Sequence, residues 1–177
     1  MKTILRFPLL LLALLLAARP AAAQATPEAL AERYFATMRA GDWKANAALM
    51  HPEALQSFQS LLLPILEIDE EGEVARMLGV ADNEAVKALA PAAFYERFLN
   101  GMMGQQAGLA AILGGSRAEI VGHVMEGDTA HIVYRLNMEV DGAPMSKVTV
   151  ISAKRDGGVW RALLTGEMEG LAGMFRT

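Results

Sequence analysis

The chain has 177 residues, a net charge of −4, 6% aromatic residues and no cysteine, enough for one domain behind a leader. Its acidity leaves few Lys and Arg to neutralise phosphates and its few aromatics give no stacking platform, so nucleic acid is excluded as a partner. The lack of cysteine rules out disulfides, thiolate catalysis and Cys-ligated zinc or iron–sulfur sites.

Residues Met1–Ala23 have the three parts of a secretory signal. Lys2 and Arg6 form the charged start, Leu9 to Ala18 is the apolar run, and Ala21-Ala22-Ala23 and Ala23-Gln24-Ala25 are cleavage sites of the A-x-A kind. The apolar run is well short of the about 20 residues that span a bilayer. The expectation is a signal peptide cleaved after Ala23 or Ala25, an exported, periplasmic product, and no membrane span once the leader is gone. No cysteine follows for lipid attachment. Losing Lys2, Arg6 and Arg19, with no acid among them, takes the net charge from −4 to −7. Residues 24–177 then form a single α+β domain, mainly helical over 26–103 and an antiparallel meander over 116–166.

Thr26-Pro27-Glu28 is a helix start, with a hydroxyl cap, a proline in the first turn and an acid near the positive end of the helix dipole. Leu30, Tyr34, Phe35 and Met38 recur at helical spacing, and Gly41 ends the element. Asp42 caps a second helix carrying Trp43, Ala47 and Met50, interrupted at His51-Pro52 because a residue before proline avoids the α region. Pro52 opens a third, with Leu55, Phe58 and Leu62 on one face, up to Pro64. The acidic stretch from Glu67 to Glu73 lacks the alternating spacing of a calcium loop and reads as a solvated loop leading into a helix. Asp82 caps another helix through Leu89, and Pro91 opens a longer one with Phe94, Tyr95, Phe98, Leu99, Met102 and Met103. Gly104 to Gly115 reads as a glycine-punctuated connector.

Three turn signals divide the rest. Glu126-Gly127-Asp128, Asp141-Gly142-Ala143-Pro144 and Asp156-Gly157-Gly158 supply glycines for tight hairpins. Between the first two, Ile132, Tyr134, Leu136, Met138 and Val140 fall on one face. His131, Arg135, Asn137 and Glu139 fall on the other, with Val133 as the apolar exception. The apolar face needs cover, and the preceding helices supply it. The expected fold is therefore α+β, with the N-terminal helices packed on the concave face of a curved antiparallel sheet of about four strands.

The order of elements is similar to a known superfamily. Ala40-Gly41-Asp42-Trp43 opens the second helix, His51-Pro52-Glu53 closes it, and Val159-Trp160-Arg161 ends a long antiparallel sheet. Most of 26–166 resembles the nuclear transport factor 2-like superfamily, which includes ketosteroid-isomerase-like enzymes. The region 56–115 departs from it by being longer and more helical. The resemblance implies a cone, with helices inside a bent sheet and a pocket between them. The superfamily holds enzymes, ligand carriers and interaction modules, so the fold alone sets no activity.

Isomerase chemistry needs a carboxylate base and an oxyanion donor in one apolar cavity. Tyr34, Tyr95 and Tyr134 lie on apolar faces and can donate, but no acid shares the face of Ile132 to Met138. Glu119 shares its face with His123 and Glu167 follows the last strand, neither of them clearly interior, and Asp42 is better read as a cap. Weak catalytic candidates are His51, Tyr34 and Tyr95, with His51 better explained as a cap or turn residue. His123 and His131 approach each other if the Gly127 hairpin pairs them, but no third ligand is in view, so no metal and no cofactor are expected. The methionines, Met168 and Met174 among them, are dispersed at core spacing rather than clustered as a copper segment would be, and fit flexible filler. The expected ligand pocket is lined by Tyr34, Met38, Trp43, Phe94, Phe98, Tyr134, Leu136 and Met138. The leading reading is an exported, non-catalytic module for an apolar small molecule or a protein partner. The alternatives are an isomerase or dehydratase and a homodimer formed through the outer sheet face.

Overall fold

A computed structural model describes residues 25–166. The leader, Glu167, Met168 and Met174 lie outside the described residues. The fold is α+β, with seven helices among the described residues followed by a curved, unclosed four-stranded antiparallel sheet.

Helix α1 (Pro27–Ala40) begins where the Thr26 hydroxyl accepts the Ala29 N–H at 3.2 Å and ends at Gly41, whose φ of 65° is the left-handed value glycine tolerates. Helix α2 (Trp43–Ala47) is capped by Asp42, whose carboxylate accepts the Ala45 N–H. It is shorter than its apolar spacing suggests because Met50 leaves the helix and forms a parallel bridge with Ala162. Helix α3 (Pro52–Leu62) follows the extended His51, and a 3-10 turn at Leu63–Glu67 absorbs Pro64. Helices α4 (Glu73–Leu78), α5 (Asn83–Lys87) and α6 (Pro91–Gln105) follow. The expected connector is instead helix α7 (Ala107–Gly115). Ala and Leu are strong helix formers, and Leu109, Ile112 and Leu113 are half-covered, so its glycines punctuate the element without dissolving it.

Strands β1 (Arg117–Glu126), β2 (Thr129–Val140), β3 (Ala143–Asp156) and β4 (Val159–Ala162) pair in sequence order through the three expected turns. A bulge between Ile120 and Gly122 shifts the β1–β2 register. Ala130, Ile132 and Tyr134 of β2 and Ile151 and Ala153 of β3 are buried. Helix α1 lies directly on the sheet, and α6 packs chiefly on α2, α3 and α4 as a second layer. Backbone hydrogen bonds also tie the helical half to β4. The Ala162 N–H donates to the Leu49 carbonyl at 2.9 Å, and the His51 N–H donates to the Ala162 carbonyl at 2.8 Å.

Candidate functional site

The residues expected to line one pocket fall into two groups. Tyr34, Phe35 and Tyr134 form an aromatic run between α1 and β2, with ring centroids 5.4 and 4.4 Å apart. Phe58, Phe94, Tyr95 and Phe98 form a second cluster among the helices, centroids 5.1–6.1 Å apart. Tyr34, Trp43, Phe94 and Tyr134 are buried; Met38, Phe98, Leu136 and Met138 are half-covered. Phe98 borders a surface groove with Ile65, Val74 and Met77.

The two groups are bridged by polar atoms at Asn46, which is fully buried. Its Oδ1 accepts the Tyr95 hydroxyl at 2.8 Å, and its Nδ2 donates to the Tyr34 carbonyl at 3.1 Å and to Thr37 Oγ1 at 2.9 Å. The Tyr34 phenol is pushed up to about 12 by burial, a rise partly offset by the Tyr95 hydroxyl beside it. Burial raises Tyr95 well above its ordinary value, and the neighbouring Tyr34 phenol pushes it further in the same direction. Both phenols stay neutral at any physiological pH, and the Tyr95 proton is committed to Asn46. The side chains buried among the described residues include Asn46, His51, Gln59 and Ser116 as the polar members, and no carboxylate. A tyrosine donor thus has no carboxylate base facing it in that core. Sequence reading passed over Asn46, although its place three residues after Trp43 and one before Ala47 put it on the buried side of α2.

His51 caps α3, its Nδ1 accepting the Glu53 N–H at 3.3 Å. Lone-pair use at Nδ1 and the extended backbone before Pro52 account for this residue without a catalytic role. His123 and His131 point to opposite faces of the sheet. His123 pairs with Ile132 on the inner side, whereas His131 pairs with Val124 and Ser152 on the outer side. The bulge flips the alternation of β1, so Glu119, opposite Arg135, does not share a face with His123 either. Gly122 inside the strand was the available signal for that bulge.

On the inner side His123 Nδ1 meets the Glu28 carboxylate of α1, and this contact holds Glu28 below its ordinary value of 4.5. A carboxyl group lowered by folding stabilises the native state above its unfolded pKa, and this contribution disappears as the pH falls through the lowered value. Urea midpoints of the wild type and of Glu28→Gln should therefore differ at neutral pH and converge as the pH falls through the lowered value. A gap that persists in acid would mean the pair contributes through something other than charge.

On the outer side His131 bridges the Ser152 hydroxyl at 2.9 Å and the Glu126 carboxylate at 3.0 Å. The order hydroxyl, imidazole, carboxylate is that of an acyl-transfer triad. Ser152 is nevertheless held mid-strand opposite His131, not bared on a sharp turn, and Glu126 is 83% exposed to competing water. The trio is a cross-strand polar ladder.

In the acidic loop both Asp69 carboxylate oxygens accept backbone N–H groups, of Glu73 at 2.8 Å and Val74 at 3.0 Å, and so fix the start of α4. Among the described residues no three His, Asp or Glu side chains converge as a metal site, and no helix is long and apolar enough to cross a membrane.

One surface of the inner side stays open, mostly apolar but carrying Lys147 opposite Leu136. The buried stretch of β2 ends at Tyr134; Leu136, Met138 and Val140 are half-covered, and Met145, opposite Met138, is 47% exposed. Helix α7 lies against β2, carries no charged residue and is contacted by α6 and α1. Searches against family models, curated proteins and solved structures found no match.

Proposed function

We propose that the protein is an exported, non-catalytic module that binds an apolar small molecule at the open end of its sheet. The observation that carries this reading is the contrast along β2: a sealed stretch from Ala130 to Tyr134, then a methionine-bearing stretch from Leu136 to Val140 beside an uncharged helix. Flexible thioethers at Met138 and Met145 suit ligands of irregular shape. The cone-like arrangement, with its helices on the concave side and its last strand bridged back to Met50, favours the nuclear transport factor 2-like relationship. Among the described residues the buried polar side chains are Asn46, His51, Gln59 and Ser116, a set that favours binding over the carboxylate chemistry of the isomerase alternative.

Protein recovered from the periplasm, its N-terminus sequenced to locate cleavage after Ala23 or Ala25, is the material for the test. An anilinonaphthalene sulfonate dye should brighten on it, and a long-chain fatty acid should displace the dye and raise the melting temperature. Met138→Lys with Met145→Lys should weaken both effects at least about tenfold, the loss expected when charge enters an apolar site. Full retention by that variant, or no dye binding by the wild type, would refute the reading.

A further inference from the structure

The last long strand is covered along only part of its outer edge. Strand β4 pairs with Ala153 to Asp156 of β3, and the Leu163 N–H adds one more bond, to the Ser152 carbonyl at 2.8 Å. From Ile151 back to Ala143 no strand lies beside this edge among the described residues. An open edge of that length is a template for another segment unless something covers it. It adjoins the open inner surface, where Leu136 sits opposite Lys147 and Met138 opposite Met145.

The course of the chain shows which segment is at hand. Leu163 still follows the β3–β4 register, and Leu164 packs against the core. Continued at that register, the chain would bring Gly166 level with Thr149, leaving Lys147 and Met145 two and four positions farther, roughly 7 and 14 Å. Residues 167–177 measure about 16 Å as a helix and more when extended, so they reach Met145 either way. Their sequence matches the surface. Met168, Leu171, Met174 and Phe175 recur at spacings of three and four, an apolar stripe. Glu167 and Glu169 come first, nearest to Lys147, which is the one charged residue on the inner side of β2 and β3 beyond Tyr134 and Thr149.

We infer that the segment after Gly166 docks on this open stretch, its apolar side chains on Met138 and Met145 and its acids at Lys147. It is a cover supplied by the chain itself, and an apolar ligand must displace it. The docking stands on reach, apolar pattern and charge; the displacement rests on the ligand reading proposed above.

A chain without cysteine suits a disulfide scan. In the full chain, Met145→Cys combined in turn with Met168→Cys, Leu171→Cys and Met174→Cys should close a disulfide within one molecule for at least one pairing, since bridging needs Cα atoms within about 7 Å. Asn137→Cys, on the outer side of β2, should close none with the same partners. Removing residues 167–177 should tighten the binding of Nile red, a neutral dye, about tenfold, the factor by which a cover closed about nine-tenths of the time weakens apparent affinity. Glu167→Lys with Glu169→Lys should tighten it likewise, and adding Lys147→Glu should reverse the gain. No disulfide to Met145→Cys, or disulfides only between molecules, as a second copy on this surface would give, would overturn the inference. Dye binding equal with and without residues 167–177 would overturn the displacement. An intramolecular disulfide with no dye binding by either chain would sink the ligand reading and leave the docking standing. If the shortened chain loses its native circular dichroism, the charge swaps decide.

Discussion

Asn46→Ala should lower the stability of the fold by about 3 kcal/mol, from stranding a buried hydroxyl and severing a cross-tie. The Tyr95 hydroxyl, on a residue 1% exposed, would lose its acceptor with little access to water. The Tyr34 carbonyl and Thr37 would lose their amide donor at the same time, though Thr37 Oγ1 still reaches that carbonyl at 2.9 Å. Urea unfolding of the wild type, Asn46→Ala, Tyr95→Phe and the double variant forms a closed cycle. Tyr95→Phe removes the stranded hydroxyl, so it should cost less in the Asn46→Ala background than in the wild type, by about 1–2 kcal/mol. Additive losses would show that the hydrogen bond carries no coupling.

Gly101→Ala should destabilise by about 2 kcal/mol, opposite in sign to the usual benefit of alanine in a helix. A Cβ at Gly101 in α6 would lie 2.5 Å from the Met77 carbonyl oxygen and 2.6 Å from Met77 Cγ in α4. The methionine side chain can turn away, but the carbonyl belongs to a short helix whose C-terminal end is clamped. Arg97, one turn earlier on α6, donates to the Leu78 and Gly79 carbonyls at 3.0 and 3.2 Å. Relieving the clash means prising α4 from α6 and breaking that clamp. Gly104→Ala is the matched control: its Cβ would meet nothing within 4 Å, so it should stabilise by roughly 0.5–1 kcal/mol. Equal signs for the two substitutions would show that the α4–α6 approach is looser than described.

The features legible in the residues were local ones. Thr26, Asp42 and Asp82 cap as their hydroxyl and carboxylate chemistry dictates, and the three glycine turns set the sheet order because hairpins fix register over a few residues. What stayed hidden depends on partners distant in sequence. Glu28 looked like a dipole residue at a helix start, and nothing near it announced His123 across the sheet. Met50 kept helical spacing with Trp43 and Ala47, yet the demand of β4 for a neighbour drew it out of the helix. The expected pocket grouped Phe94 with Tyr134 because both are aromatic and apolar. Periodicity reports which face of an element is buried but not which layer buries it, and here α1 lies on the sheet while α6 sits among the helices. The open stretch at Met138 and Met145 was likewise invisible, since alternation assigns a face without saying how far the covering helix reaches.

The stitch joining Leu49–His51 to Ala162 bears on how the molecule is made. The Arg161 guanidinium reinforces it by donating to the Ala48 carbonyl at 2.6 Å, a bond between residues 113 positions apart. During synthesis the early segment waits through almost the whole remaining polypeptide before its mate exists. Contacts so distant in sequence carry a high loop-closure cost, so this junction is expected to form late in folding.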